Sequence, residues 1–517
     1  MFKDIEITCF PKDIYNTSAH IFSAANIINI PQKRILEIKI LKRSIDARQR
    51  PIYRLKVRVF IDKVEHDNPF ERTTYMVRKD QKTAIIGFGP AGMFAALKLL
   101  ESGLKPVIFE RGKDVQSRRR DIRNLMRDHL VNPDSNYCFG EGGAGAYSDG
   151  KLYTRSLKRG SVNEILRALV EHGASEEILI DAHPHIGSNK LPKVVNNIRQ
   201  TILNGGGEIY FDSKLTDIII DNSKVIGIII NDKEEFVFDN VILCVGHSAR
   251  DVYELLNRKN IKLEQKDFAM GVRIEHPQQI IDEIQYKQKI REVNLPAASY
   301  NLSCQIDERG VYSFCMCPGG IIVPASTNKE ELVLNGMSVS RRNSRFANSG
   351  FVVSVTRNDL KNFEKHGIFA GLEYQKYYEN LCFIAGGSKQ TAPAQRITDF
   401  VNGDLSVTLP ETSYIPGVIS TPLHEIIPKE IRERMKKALL FFGQKKRGYF
   451  TEEAQILAPE SRTSSPVRIP RDKVTFEHVQ VSGLFPCGEG AGYAGGIVSA
   501  AIDGRNCATA VINKSKQ

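Results

Sequence analysis

The sequence predicts an α/β fold: a Rossmann-like domain with a βαβ unit on a central parallel sheet, an inserted antiparallel α+β domain, and a small α+β domain in front. Three observations predict it. Lys82 to Gly112, KTAIIGFGPAGMFAALKLLESGLKPVIFERG, reads as strand, glycine turn, helix and strand. The last segment repeats the pattern, with a strand at Leu484–Cys487, a run of glycines and a small-residue helix. Between these two, from about 251 to 456, the dinucleotide signals stop and separate short strand candidates take their place. The expected boundaries are 1–80 for the first α+β domain, 81–250 for the first part of the nucleotide domain, 251–456 for the insert and 457–517 for the return.

In the first stretch, Thr83 to Ile86 suit a buried strand, and Gly87, Gly89 and Gly92 follow in the spacing G-x-G-x-x-G, with Pro90 and Ala91 between them. Gly87 permits the tight turn. Gly89 leaves room for a pyrophosphate, and Gly92 lets helix and strand close up. The helix then offers free N–H groups and a partial positive charge to phosphates. The second strand ends on Glu110, eighteen residues past Gly92, near the usual distance for an acid that accepts from a ribose hydroxyl. The triplet alone could be an ordinary glycine-rich turn; strand, helix and acid together predict dinucleotide binding.

Residues 1 to about 80 read as a βαββ unit: a strand at Ile5–Phe10, a helix at Lys12–Ile28, and alternating strands at Arg34–Arg43 and Tyr53–Ile61. KRSIDARQRP reads as a basic turn, either a partner site or a link. A basic helix is expected from Arg111 to Val131, with Arg118, Arg119 and Arg120 facing either phosphates or solvent. Cys138 to Arg155 carries Gly140, Gly142, Gly143, Gly145 and Gly150 among Phe, Tyr and Leu. Glycine at that density costs chain entropy, so a cofactor loop is expected rather than a linker. Helices are expected around DAHPHIGS; His183 and His185 lack acidic or cysteine partners and read as loop residues or substrate contacts. A small β-meander follows, and its last strand, Val241–Val245, returns to the main sheet and sets Gly246 near the cofactor.

The insert offers strands at Phe268–Glu275, Val311–Met316, Ile321–Pro324 and Phe351–Val355. Cys315 and Cys317 share one strand face and read first as two buried small residues, with redox work as the alternative. Arg341, Arg342 and Arg345 are either an anion site or a solvated loop. Helices are expected at 358–382 and 428–442. The final segment sets Gly488, Glu489 and Gly490 after a strand, and Gly492, Gly495 and Gly496 before a helix. That helix could aim its dipole at a flavin ring. A dinucleotide cradled by the first βαβ unit and by a terminal strand and helix is an FAD arrangement.

The chain is long enough for two or three domains and has an ordinary balance, 41% hydrophobic and 26% charged. No apolar run reaches the length of a membrane helix. MFKDIEITCFPKD shows no leader pattern. Nine scattered cysteines without C-x-x-C argue for reduced thiols, a cytoplasmic setting and no metal site. The net charge is +12. Met1 to Lys82 has 17 Lys and Arg against 10 Asp and Glu, a difference of +7. That excess reads as solvated surface, with RNA as the alternative partner; no aromatics interleave with it.

AIIGFGPAGMFAAL, FGEGGAGAYSDGKLYTR, VILCVGHSARDVYELL, GVRIEHPQ, YSFCMCPGG, NGMSVSRRN, APAQRITDF, ESRTSSPVRI and LFPCGEGAGYAGGIVSAAIDG together resemble the bacterial uncharacterised FAD-dependent dehydrogenase family, within the two-dinucleotide-fold flavoproteins. The resemblance spans nearly all of residues 83 to 510 and implies FAD as cofactor. It implies that Gly87, Gly89, Gly92, Glu110 and Arg111, with Pro90 and Ala91, hold the ADP half. Gly143 to Lys151, with Ala144, Gly145, Ser148 and Gly150 among them, are implied along the pyrophosphate and flavin. Gly488, Glu489 and the Gly492–Ile497 turn, with Gly495 and Gly496, are implied beside the ribityl chain and ring. It supplies no catalytic residue; His247, Glu275, His276 and Tyr312 are the candidates read from the sequence. No second G-x-G-x-x-G and no C-x₄-C appear, so NADH or NADPH would bind only transiently. The expected activity is hydride transfer between an unidentified small molecule and FAD. The alternatives are a tRNA-modifying or hydroxylating flavoenzyme, and a non-catalytic FAD module whose first domain binds a partner.

Overall fold

The computed structural model describes residues 1–64, 73–154 and 159–516. Arg155, the end of the expected cofactor loop, lies outside them.

Five parallel strands form the central sheet, in the order Leu484–Pro486, Val241–Leu243, Lys82–Ile86, Lys105–Phe109, Glu208–Tyr210. The chain's two distant nucleotide-like segments therefore lie on either side of Val241–Leu243, which pairs with both. All four residues from Thr83 to Ile86 are buried, as a strand covered on both faces requires. Helix Pro90–Glu101 has Gly89 at its N-cap and Pro90 in its first turn. It packs against the last helix, Ile497–Lys514, where a Cβ on Gly504 would come within 2.1 Å of the Ala91 carbonyl oxygen. Beside this sheet, Leu215–Asp221, Lys224–Ile230 and Glu234–Val237 make a three-stranded meander.

The insert is built on a seven-stranded mixed sheet. Its order is Ser303–Ile306, Arg309–Cys317, Phe346–Val355, Phe268–Pro277, Gln455–Glu460, Ala392–Arg396, Val418–Ser420. Gln455–Glu460 crosses the boundary expected at 456 and pairs with Phe268–Pro277 in this sheet. At the other end, helix Arg250–Arg258 buries Val252, Tyr253, Leu255 and Leu256 in the core of the nucleotide sheet, beyond the expected limit at 250. The insert's sheet thus spans 268–460. Its expected helices are a 3-10 stretch over Arg357–Phe369 running into the α-helix Ala370–Ala385, and Lys429–Lys445.

The first domain has strands Phe2–Cys9, Ile35–Asp46 and Ile52–Ile61 in the order first, third, second, with helix Thr17–Ile28 over them. Asn16 caps that helix by accepting from the Ala19 amide at 3.1 Å, so it begins later than the sequence pattern suggests. The KRSIDARQRP segment is strand as far as Asp46, and only its end turns. The domain's core, including Leu55, Val57 and Val59, is continuous with that of the insert. Arg34, Arg43, Arg54 and Arg58 each pair with a carboxylate, so much of the local positive excess is met within the protein.

The expected helix over 111–131 is shorter, Arg118–Asp128, and Arg118 does not face a phosphate site or solvent. It is fully buried and donates to the carbonyls of Asn136, Tyr137, Glu141 and Gly143 at 2.7–2.9 Å. Arg119 and Arg120 are exposed. No helix among the described residues is long and apolar enough to cross a membrane.

Candidate functional site

A cavity of about 410 Å³ opens between the carboxyl ends of the central strands and the insert. This is where open α/β sheets place ligands. Its walls include Gly87, Gly89, Pro90 and Ala91 from the first turn, and Glu110 and Arg111 from the end of the second strand. Gly143, Ala144, Gly145, Ser148, Gly150 and Lys151 come from the glycine loop, Gly246 from the returning strand, and Glu489, Gly495, Gly496 and Ile497 from the last turn. Three predicted residues stand behind the wall. Gly92 has no room for a Cβ, which would meet the Gly87 carbonyl oxygen at 2.0 Å. Gly488 and Gly492 have φ of 76° and 86° and shape the final turn.

Four wall glycines have neither a strained φ nor a crowded Cβ position. A Cβ on Gly89 would have only the Gly143 Cα within 4 Å, at 3.8 Å. One on Gly246, Gly495 or Gly496 would meet nothing within 4 Å. The protein's own packing does not require glycine at these places, whereas a bound molecule pressed against the backbone would. The two helices that end here, Pro90–Glu101 and Ile497–Lys514, have no side-chain caps, so their first amides can serve anionic groups of a ligand. An elongated dinucleotide with a polar centre fits these walls, and Gly87–Ala91, Gly143–Lys151 and Glu489–Ile497 are the residues that could hold FAD.

Glu110 is committed more fully than the sequence suggests. Its carboxylate accepts from the amides of Phe88 at 2.7 Å and of Gly112 and Gly140 at 2.9 Å, joining three loops at one end of the cavity. A ribose hydroxyl would share oxygens already in use. Arg111 pairs with Asp251 at 2.5 Å and lies over the Phe139 ring.

Among the catalytic candidates, His247 lines the cavity, with Nδ1 3.3 Å from Glu489 Oε1. Glu275 and His276 are buried inside the insert, where Glu275 accepts from Ser413 and His276 contacts the Tyr449 carbonyl. Tyr312 is half-buried outside the cavity. The three point elsewhere because their strand positions face the insert's own core and flank. His183 is exposed against Tyr153, and His185 meets the Ser340 carbonyl, so the two do not share a site. Of the three arginines, Arg342 reaches a cavity residue, Asp149, while Arg345 pairs with Glu411 at the surface.

The insert supplies wall residues that sequence reasoning did not single out, among them Phe314, Glu460, Arg462 and Thr463. Arg462 belongs to a buried quartet. With Arg250 it clamps Glu379, and both arginines also reach Glu331. Two positive and two negative charges thus balance across the junction of nucleotide domain and insert. The two arginines hold the Glu379 carboxyl far below the usual range, against the cost of burial. Glu460 meets only one guanidinium, that of Arg273 at 3.0 Å, and burial prevails, pushing its carboxyl up to about 7. The sequence signal was the concentration of Arg, Ser and Glu in PESRTSSP, which has no meaning until its distant partners are known.

One group among the described residues, Cys487, Asp503 and Cys507, is close enough to resemble metal ligands. A cation already serves it: Arg471 donates to both Asp503 oxygens, at 2.6 and 3.0 Å, and to the Cys507 sulfur at 3.3 Å.

Residues 267–463 match the family described as "FAD-dependent protein, C-terminal domain-like", and residues 1–60 match a domain of unknown function. Glycine oxidase from Bacillus cereus is 14% identical, with 85% of this chain and 96% of that chain covered and a TM-score of 0.29. L-amino acid deaminase from Proteus vulgaris is 11% identical, with 40% and 64% covered and a TM-score of 0.24. At scores this low neither likeness carries a conclusion. An uncharacterized protein of Clostridium beijerinckii is 41% identical over 508 residues, which cover 94% of each chain. Identity at that level along nearly the whole length, together with the match over the insert, shows that the chain belongs to a family of uncharacterised FAD-dependent proteins.

Proposed function

We propose that the protein is an FAD-dependent oxidoreductase that moves a hydride between a small-molecule substrate and the flavin. The observation that carries this reading is the single cavity walled by all three glycine-rich stretches, with glycines that the fold itself does not demand. When bound, FAD supplies the two-electron chemistry. The chain's own part is to seat the cofactor on Gly87–Ala91 and Gly143–Gly145, and to set amides of the Ile497–Lys514 helix near its far end. Phe314, Leu334 and Ala325 from the insert keep water from the opposite wall. His247 and Glu460 are the groups placed to take or return a proton, His247 beside Glu489 and Glu460 beside Arg273. NADH or NADPH is proposed as a transient donor that shares the open side of the cavity.

Anaerobic addition of NADH, then NADPH, to the purified protein loaded with FAD tests this. Loss of the flavin absorption near ~450 nm supports hydride transfer. Absorption that neither nucleotide bleaches contradicts the nicotinamide donor and moves the search to other reductants.

A further inference from the structure

Of Cys315 and Cys317, expected as two buried small residues, Cys317 is fully buried and Cys315 only partly. The pairing of Arg309–Cys317 with Phe346–Val355 slips between Phe314 and Cys317, so the strand bulges there. Within the bulge Cys315 has φ of 46°, a left-handed conformation rare for a side chain of its kind. Such strain persists where the surroundings impose it, often at working sites. Its effect is visible: Cys315 forms part of the cavity wall beside Phe314, Lys151 and Glu460, while Cys317 lies fully buried just behind.

Two cations clamp the bulge. Arg273, itself fully buried, donates to the Cys315 carbonyl at 2.7 Å and lies 3.6 Å from the Cys317 sulfur. Lys151 donates to the Met316 carbonyl and stands 3.8 Å from Asp149. These two cations each have a carboxylate partner, Glu460 for Arg273 and Asp149 for Lys151. The Cys315 thiol lies well below its ordinary range, held down by the hydrogen bond from Cys317 and by Lys151 and Arg273, while Cys317, the proton donor of the pair, lies well above. A reactive, partly buried sulfur on the cavity wall with a second, buried thiol two residues on is the arrangement of an attacking and a resolving thiol.

We propose that Cys315 and Cys317 are a redox-active dithiol that exchanges an electron pair with the flavin. In the forward direction an S–S bond forms between the Cys315 thiolate and the Cys317 sulfur, and the one S–H bond, that of Cys317, is broken. Two electrons and that proton go to oxidised FAD. The reverse step opens the disulfide with the same electron pair and one proton, returning Cys315 as thiolate and Cys317 as thiol. The proposal rests on FAD occupying the cavity, as the function proposed above requires.

The test uses full-length protein loaded with FAD, and Cys315→Ser and Cys317→Ser variants. The flavin spectrum of each is recorded in the oxidised state, and each is then reduced and desalted without oxygen. A portion is oxidised with ferricyanide, alkylated with N-ethylmaleimide and mapped by mass spectrometry. Another portion, after oxidation, is titrated with dithionite. The expected result is a peptide with Cys315 and Cys317 joined and unalkylated, and one electron pair more per flavin in the wild type than in either variant. The Cys487–Cys507 region is common to all three proteins and cancels in that difference. Bound flavin with both thiols still alkylated after oxidation, and equal electron uptake in all three, would overturn the dithiol while leaving the oxidoreductase reading in place. Protein whose first spectrum shows no flavin, even after incubation with FAD, would overturn both. Peptide mapping of the wild type decides the matter even if a variant fails to fold.

Discussion

His276 shows how a residue legible as a catalytic candidate can be a stability device. Its Nε2 meets the Tyr449 carbonyl at 2.9 Å, and its Nδ1 is buried with no partner. Protonation would place a charge there with nothing to receive it. Burial therefore lowers its pKa from 6.5 to about 4. The neutral form belongs to the fold, and the unfolded chain binds the proton first. The resulting stability is fully present above pH 6.5 and is lost as pH falls through 4. The difference is about 3 kcal/mol at roughly 1.4 kcal/mol per pH unit. Denaturant midpoints of the wild type should fall over that window relative to His276→Gln; parallel curves would show that another group sets the acid limit. Arg118 and Glu110 teach the same lesson. Both stand where the sequence pattern offers them to a nucleotide, and both spend their hydrogen bonds on backbone groups of the loops that shape its site. Those backbone partners lie as far as 30 residues away, so local spacing gives no sign of them.

Whole elements were easier to read. The strand and helix from Lys82 to Glu101 follow from a run of apolar residues, three glycines and a helix former at almost every later position. The insert's strands at 268, 311, 321 and 351–355 were legible as short strand candidates, although the last begins earlier, at Phe346; their partners were not legible, because pairing such as Arg273 with Leu457 joins distant segments. The bulge at Cys315 was invisible for the same reason: it exists only in register against Asn348–Phe351. The contact between the two site helices is a second long-range feature, and it depends on Gly504. A side chain there would strike the Ala91 backbone. Gly504→Val should cost about 1–3 kcal/mol or more by overpacking, and should lower flavin occupancy by moving Gly495–Ile497. Unchanged melting and occupancy would mean that the helices part without consequence.

At the scale of the whole molecule, the Arg250, Glu331, Glu379 and Arg462 quartet is buried at the junction of nucleotide domain and insert. Removing one partner of a buried network is far more costly than the network's net worth, because the remaining charges stay buried. Glu379→Gln leaves two guanidiniums facing Glu331 alone and should cost about 3–5 kcal/mol in denaturant unfolding. A loss below about 1 kcal/mol, the range of surface pairs, would show the junction to be open to water. The first domain adds its core to that of the insert and meets much of its own positive charge with carboxylates, so the charge excess seen in the sequence does not by itself mark a nucleic-acid surface.

The central claim is that three separated glycine-rich stretches build one FAD site, and Gly89 tests it most directly. Its φ of −79° and open Cβ position allow the fold to accept a side chain, so only a ligand should object to one. The measurement is the flavin-to-protein absorbance ratio of purified wild type and Gly89→Val after incubation with FAD, alongside their melting curves. The account predicts flavin in the wild type, none retained by Gly89→Val, and similar melting of the two flavin-free proteins. Equal flavin in both, or none in the wild type, would contradict it.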